Sequence, residues 1–225
     1  MTTPGADAPG VHPGYGSGFG ASTAGRVDPA TFSNLRIYAK LRPTPAALAH
    51  LETLQQGLPQ HSGKVLEPRR LHLTVLHFGL VREVHQQISA VSGIAYDRYA
   101  ALLADYIHAS EQHLPKRTFT VDPVSLAGFG SRGRTLAVAV APSPELTQLH
   151  AGLSAILADF LSACGIRDVA GFMAASPSFS HGQRLRPHIS LCRNFGSTIP
   201  VLALQPLELQ PDPHIYPGNR HALPC

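Results

Sequence analysis

The chain has 225 residues, with 18 Lys plus Arg against 14 Asp plus Glu, a formal net charge of +4, 44% hydrophobic residues and only 14% charged ones. This fits one domain with a packed interior, or two small lobes sharing a core, and excludes a long solvated helix or coiled coil. No apolar run reaches the ~20 residues of a membrane span, no secretory leader is expected, and the three cysteines show neither metal spacing nor a disulfide framework, so a cytoplasmic setting without membrane contact is expected.

Residues 1–30 are rich in Gly, Pro, Ala and Ser and poor in large apolar side chains, and are expected to form a disordered tail with no part in the chemistry. The domain is expected over 31–211, with a turn-rich tail at 212–225. A strand is predicted over Leu35–Leu41, where Ile37 and Ala39 alternate with Tyr38 and Lys40. Pro43-Thr44-Pro45 ends it and opens a helix, with Thr44 as cap and Pro45 at the first position. Leu48, Leu51, Leu54 and Leu58 give that helix its apolar face. A second strand is predicted over Leu71–Phe78, closed by Gly79.

The same order then recurs. After a helical stretch at Tyr96–His113 and a strand at Thr118–Leu126, a strand is predicted over Thr135–Val140. Pro142-Ser143-Pro144 repeats the cap, and Leu146, Leu149, Leu153, Ile156, Leu157 and Phe160 line a helix. Gly165–Arg186 reads as a long loop. His188–Asn194 is the next strand, followed by Phe195-Gly196 as Phe78 is by Gly79. A last strand is expected over Val201–Leu209. Strand, Pro-capped helix and histidine strand thus occur twice, which predicts two similar lobes.

Two tripeptides carry the candidate chemistry, His72-Leu73-Thr74 and His188-Ile189-Ser190. The pattern is weak alone: 13 histidines and 29 serines plus threonines in 225 residues give about 1.7 chance occurrences, and there are three. The third, His108-Ala109-Ser110, lies in a helical pattern, where residues two apart do not share a face. In a strand they do, ~7 Å apart. Two such strands facing one another offer two imidazoles for proton transfer near neutrality and two hydroxyls, Thr74 and Ser190, to bind phosphate oxygens, with no metal or other cofactor required. The plain alternative is a pair of buried strand histidines bonded to nearby hydroxyls.

Regular alternation predicts His77 opposite His72, in a structural role, and Arg193 opposite His188, in an ion pair. It places Cys192 on the histidine face, as a packing residue. Arg134 and Arg193 remain candidates for holding phosphate, and Tyr38 and Lys40 for reaching substrate from the first strand. The arginines look scattered, so the basic balance permits a polyanionic partner without requiring one.

Glu67-Pro68-Arg69-Arg70-Leu71-His72-Leu73-Thr74-Val75, with Phe78-Gly79, resembles the first signature of the two-histidine phosphoesterases. Arg186-Pro187-His188-Ile189-Ser190-Leu191-Cys192-Arg193 resembles the second. The closest branch is the RNA 2′,3′-cyclic phosphodiesterase group, also called the 2′-5′ RNA ligase family. The resemblance runs from about Leu35 to Leu209 and includes Gly128-Phe129-Gly130 leading past Arg134 into a strand. It implies a bilobal α+β fold of mainly antiparallel strands with outer helices around a central groove, His72 as proton donor and His188 as proton acceptor. It implies hydrolysis of RNA 2′,3′-cyclic phosphate ends to 2′-phosphates, acting on RNA ends or small nucleoside cyclic phosphates, by a monomer. The alternatives are a 2′-5′ oligonucleotide phosphodiesterase or ligase, and an RNA-end binding protein without turnover. Ser190 stands where threonine is commoner. The histidines are also farther apart than in compact members, through extra sequence at Val81–His113 and Gly165–Arg186.

Overall fold

The structure, a computed structural model, describes residues 33–176, 178–179, 184–213 and 215. The expected N-terminal tail and most of the C-terminal one lie outside the described residues. The fold is mixed α+β. In chain order the elements are β1 (Arg36–Pro43), α1 (Pro45–Gln56), β2 (Lys64–Val65), β3 (Leu73–Leu80), α2 (Val81–Ser92), α3 (Tyr96–His113), β4 (Phe119–Val121) and β5 (Pro123–Phe129), then β6 (Thr135–Val140), α4 (Pro144–Ala163), α5 (Val169–Ala175), β7 (His188–Arg193) and β8 (Leu207–Pro211).

The strands form one antiparallel sheet in the order β4-β8-β1-β3-β7-β6-β5, with β2 added against β7. The two strand-helix repeats fall on either side of its centre. There β3 meets β7 through a single register pair, Leu73 with Ile189, whereas β1 and β3 are matched at six positions. The edge strands β4 and β5 are separated in the chain only by Asp122. The sheet therefore curls until the end of β4 and the start of β5 stand within one residue's reach.

Both predicted caps form. The hydroxyl of Thr44 accepts the Ala47 amide at 3.5 Å and that of Ser143 accepts the Leu146 amide at 3.2 Å, each ahead of a proline at the first helical position. The apolar face of α4 (Leu146, Leu149, Leu153, Leu157, Phe160) is buried, and α3 supplies Tyr99, Leu102, Leu103 and Tyr106 to the same core. Phe78 of β3 sits 5.2 Å from the Tyr106 ring and 5.7 Å from that of Phe160. Burying side chains of this size is worth about 1.5–3 kcal/mol each, so this cluster is a main support of the sheet. The Tyr99 hydroxyl, within the cluster, donates to the Val81 carbonyl at 3.1 Å.

Several elements depart from the sequence reading. Helix α2 was not anticipated, although Val81, Val84 and Ile88 bury one face and Gly93 ends it at φ 70°. The segment read as a long loop holds α5, whose Asp168 carboxylate accepts the Gly171 amide at 2.9 Å. Thr118–Leu126 is two strands, β4 and β5, which pair at opposite ends of the sheet. The last strand starts only at Leu207, directly after Pro206, a residue with no amide to donate. Beyond it, Ile215 is 2% exposed and its carbonyl accepts the Tyr38 amide at 2.7 Å, so Ile215 packs back on β1.

Candidate active site

Pairing Leu73 with Ile189 decides the geometry of the site. In an antiparallel ladder the neighbours of that pair are His72 beside Ser190 and Thr74 beside His188. Each imidazole therefore stands next to the other strand's hydroxyl, and the two histidines lie on a diagonal of one sheet face. The sequence reading had two motifs facing each other across a cleft between lobes. They lie on adjacent strands at the centre of one sheet and line a common groove.

Both imidazoles are oriented in the same way. Nδ1 of His72 donates to the Arg70 carbonyl at 2.8 Å, and Nδ1 of His188 donates to the Arg186 carbonyl at 2.8 Å. A carbonyl only accepts, so each Nδ1 carries the proton, and Nε2 of the neutral ring is the basic atom. An aromatic ring backs each histidine. Tyr38 stacks on His72 at 5.5 Å, and Phe129 lies nearly parallel to His188 at 4.1 Å with 14° between planes. Ala127 and Ala137 share the face of Phe129 and leave room for its ring.

Three β-bulges determine what else reaches this face. Between β1 and β3 the pairing runs Ile37 with Gly79, Tyr38 with His77, Ala39 with Leu76 and Lys40 with Thr74, skipping Phe78 and Val75. Between β6 and β7 it runs Leu136 with Cys192 and Ala137 with Ser190, skipping Leu191. An extra residue reverses the alternation after it. Leu76 and Phe78, which strict alternation would put on the face of His72, are buried, and His77 turns to the site. Cys192 is fully buried, its thiol raised by that burial, and Arg193 turns to the site. The sequence placed His77 and Arg193 on the far face because strict alternation cannot register a bulge.

The bulge at Leu191 is secured from below. The Leu66 amide donates to the Leu191 carbonyl at 2.9 Å, and the buried Gln55 amide donates to the carbonyls of Leu66 and Leu191, both at 2.9 Å.

The result is a groove of about 670 Å³ with His72, Thr74, His188 and Ser190 in its lining. Arg36, Tyr38, Lys40 and Arg42, alternate residues of β1, form one wall, and Arg69, Arg70 and Arg193 contribute to the rest. Six cationic side chains and three histidines line it, and no carboxylate is among the described residues of the lining. The arginines that looked scattered in sequence are gathered by the topology into one anion-attracting surface. Arg134 is exposed and outside this lining; its carbonyl accepts the Phe195 amide at 2.9 Å.

Asp212 tempers one side of the field. It pairs with Lys40 at 3.0 Å and Arg42 at 2.7 Å. Burial would raise its carboxyl, but the hydrogen bonds and charges of Arg42 and Lys40 outweigh that and hold it below the usual carboxylate range. Glu67 pairs likewise with Arg69 at 2.7 Å. His72 is lowered from its ordinary value, first by burial; the bond to the Arg70 carbonyl opposes this, and the charges of Lys40, Arg42 and His188 add to it. Lys40 also lies 5.1 Å above the Tyr38 ring. The sequence reading found neither Asp212 nor Phe129 as a site residue, since only the folded sheet brings them to the groove.

Together these features define an α+β protein whose sheet carries a cationic groove with two imidazoles and two hydroxyls. No protein family profile and no curated protein matches the chain. Among solved structures it is similar to TT0787 of Thermus thermophilus, at 19% identity and TM-score 0.48, covering 78% of this chain and 83% of that one. It is also similar to a structure described as a phosphoesterase, at 15% identity and TM-score 0.43, covering 77% and 79%. A third is LigT of E. coli in complex with 3′-AMP, at 17% identity and TM-score 0.42, covering 77% and 78%.

Proposed function

We propose that this chain is a two-histidine phosphoesterase that opens RNA 2′,3′-cyclic phosphates to 2′-phosphates. The observation that carries this reading is the Leu73–Ile189 pairing, which brings both His-x-(Thr/Ser) motifs to one face of a cation-lined groove. A cyclic phosphate diester is a small anion, and the surrounding charges favour its capture. The hydroxyls of Thr74 and Ser190 donate to its nonbridging oxygens as charge builds there. Nε2 of His188 takes a proton from the attacking water while Nε2 of His72 gives one to the departing 3′ oxygen. Arg70 and Arg193, which line the same groove, add positive charge toward the phosphate.

The lowered pKa of His72 disfavours the protonated form that a donor needs. A bound phosphate anion offsets this by adding a negative charge beside the ring, so the donor is charged when substrate arrives. The alternative of 2′-5′ phosphodiester cleavage or ligation uses the same groups, since acid and base exchange roles in reverse.

The test is turnover of adenosine 2′,3′-cyclic phosphate with phosphorus NMR of the product. A dominant 2′-phosphate is expected. A dominant 3′-phosphate would reverse the assigned donor and acceptor, and no turnover of any cyclic phosphate would leave a binding protein.

A further inference from the structure

Beside the groove lies a second cavity of about 150 Å³, lined by Thr74, Val75, His77, His150, Arg184, Leu185 and Arg186. It has room for several waters, and so for a phosphate group. It shares Thr74 and His77 with the groove, so the two spaces adjoin at the strand that carries the proposed acid. Two guanidiniums and two imidazoles line it, and no carboxylate is among the described residues that do. They come from separate elements: His77 from β3, His150 from α4, and Arg184 and Arg186 from the approach to β7. Ring opening at the groove uses one phosphate and gives this second cationic cavity no task.

Resting on the reading above, we propose that the cavity is a subsite for a second phosphate on the same substrate, the 5′-phosphate of the nucleotide whose cyclic phosphate is opened. The favoured substrate is then a nucleotide phosphorylated on both sides of its ribose, as at the end of an RNA chain, rather than a bare nucleoside cyclic phosphate. Arg186 links the two sites: its carbonyl holds His188 while its side chain lines the subsite. Arg184 and Arg186 are exposed, so the contribution of the subsite is screened by salt.

The test compares adenosine 2′,3′-cyclic phosphate with and without a 5′-phosphate at low and high salt. The wild type should favour the 5′-phosphorylated substrate about tenfold in kcat/KM, mainly through KM, and lose most of the preference at high salt. Arg184→Gln, at an exposed position, and the double variant with His150→Gln should erase the preference and leave kcat/KM for the 5′-hydroxyl substrate within about twofold. Equal kcat/KM for the two substrates in the wild type, or a preference that survives both substitutions, overturns the subsite. Failure to turn over either substrate instead sinks the reading of the groove. The subsite is then judged by binding: adenosine 5′-phosphate should shift the His150 ring resonances where adenosine does not, and an unmoved His150 ring overturns it.

Discussion

Gln55→Met removes two hydrogen bonds and little else. The Gln55 amide lies nine-tenths buried under β7 and donates to the Leu66 and Leu191 carbonyls at 2.9 Å. Methionine fills similar space without a donor. Each bond is worth about 1 kcal/mol net, and the Leu191 carbonyl keeps the Leu66 amide, so the loss should be about 2 kcal/mol. For a chain of this size that lowers the melting temperature by roughly 4–8 °C. The second consequence is functional. Leu191 is the residue whose bulge turns Arg193 into the groove. Loosening it should raise KM for a cyclic phosphate several-fold with a smaller change in kcat. Arg193→Gln is the control, expected to raise KM without moving the melt. Thermal melts and steady-state kinetics read both effects. A Gln55→Met melt within a degree of wild type would refute the anchoring role, and a lowered melt with unchanged KM would uncouple the bulge from binding.

His72→Ala and His188→Ala should each lower kcat at least ~10²-fold, and the double variant should lose far less than the product of the two effects, because an acid and base acting as a unit are not additive; a single variant near wild-type rate would end the mechanism. His72 titrates below its ordinary value in the folded chain, so the unfolded state takes its proton first as pH falls. Its contribution to stability is present above ~6.5, the unfolded pKa, and is lost below it as pH approaches the lower folded value. His72→Asn should therefore flatten the acid side of the stability profile, which urea titrations across pH would show. In the same sense, inorganic phosphate should raise the His72 titration midpoint by NMR, and an unmoved midpoint would remove the proposed charging of the donor by substrate. Turnover should survive excess EDTA, since imidazoles, hydroxyls and guanidiniums supply acid, base and anion binding; loss with rescue by one divalent ion would place the chemistry in another class.

What the sequence revealed and what it hid divide along the range of the interactions. The Pro-capped helices were readable because Thr44 and Ser143 bond within three residues of themselves. The two motifs were readable because a pattern two residues long survives in any strand. The turns of His77 and Arg193 into the groove were not, because each depends on which residue of a partner strand is skipped, and the skipped residues (Val75, Phe78, Leu191) look like ordinary strand formers. The cationic wall of β1 was half visible. Alternation put Tyr38 and Lys40 on one face, but only pairing with β3 says that this face is the groove. Helix α2 is marked in the sequence by Val81, Val84, Ile88 and Gly93. Helix α5 is only seven residues long, too short for periodicity to mark.

The seam at the centre of the sheet has a further meaning. With one register pair between β3 and β7, the backbone does little to fix how far apart the two strands run. That spacing sets the gap between His72 and His188, the proposed donor and acceptor. It is set from beneath, by Leu73 and Ile189 and the main apolar core that continues under both halves. The core thus acts as a gauge block for the chemistry above it. A displacement of about 1 Å can cost ~10² in rate, so under the proposed mechanism Ile189→Val, which touches no substrate, should still lower turnover.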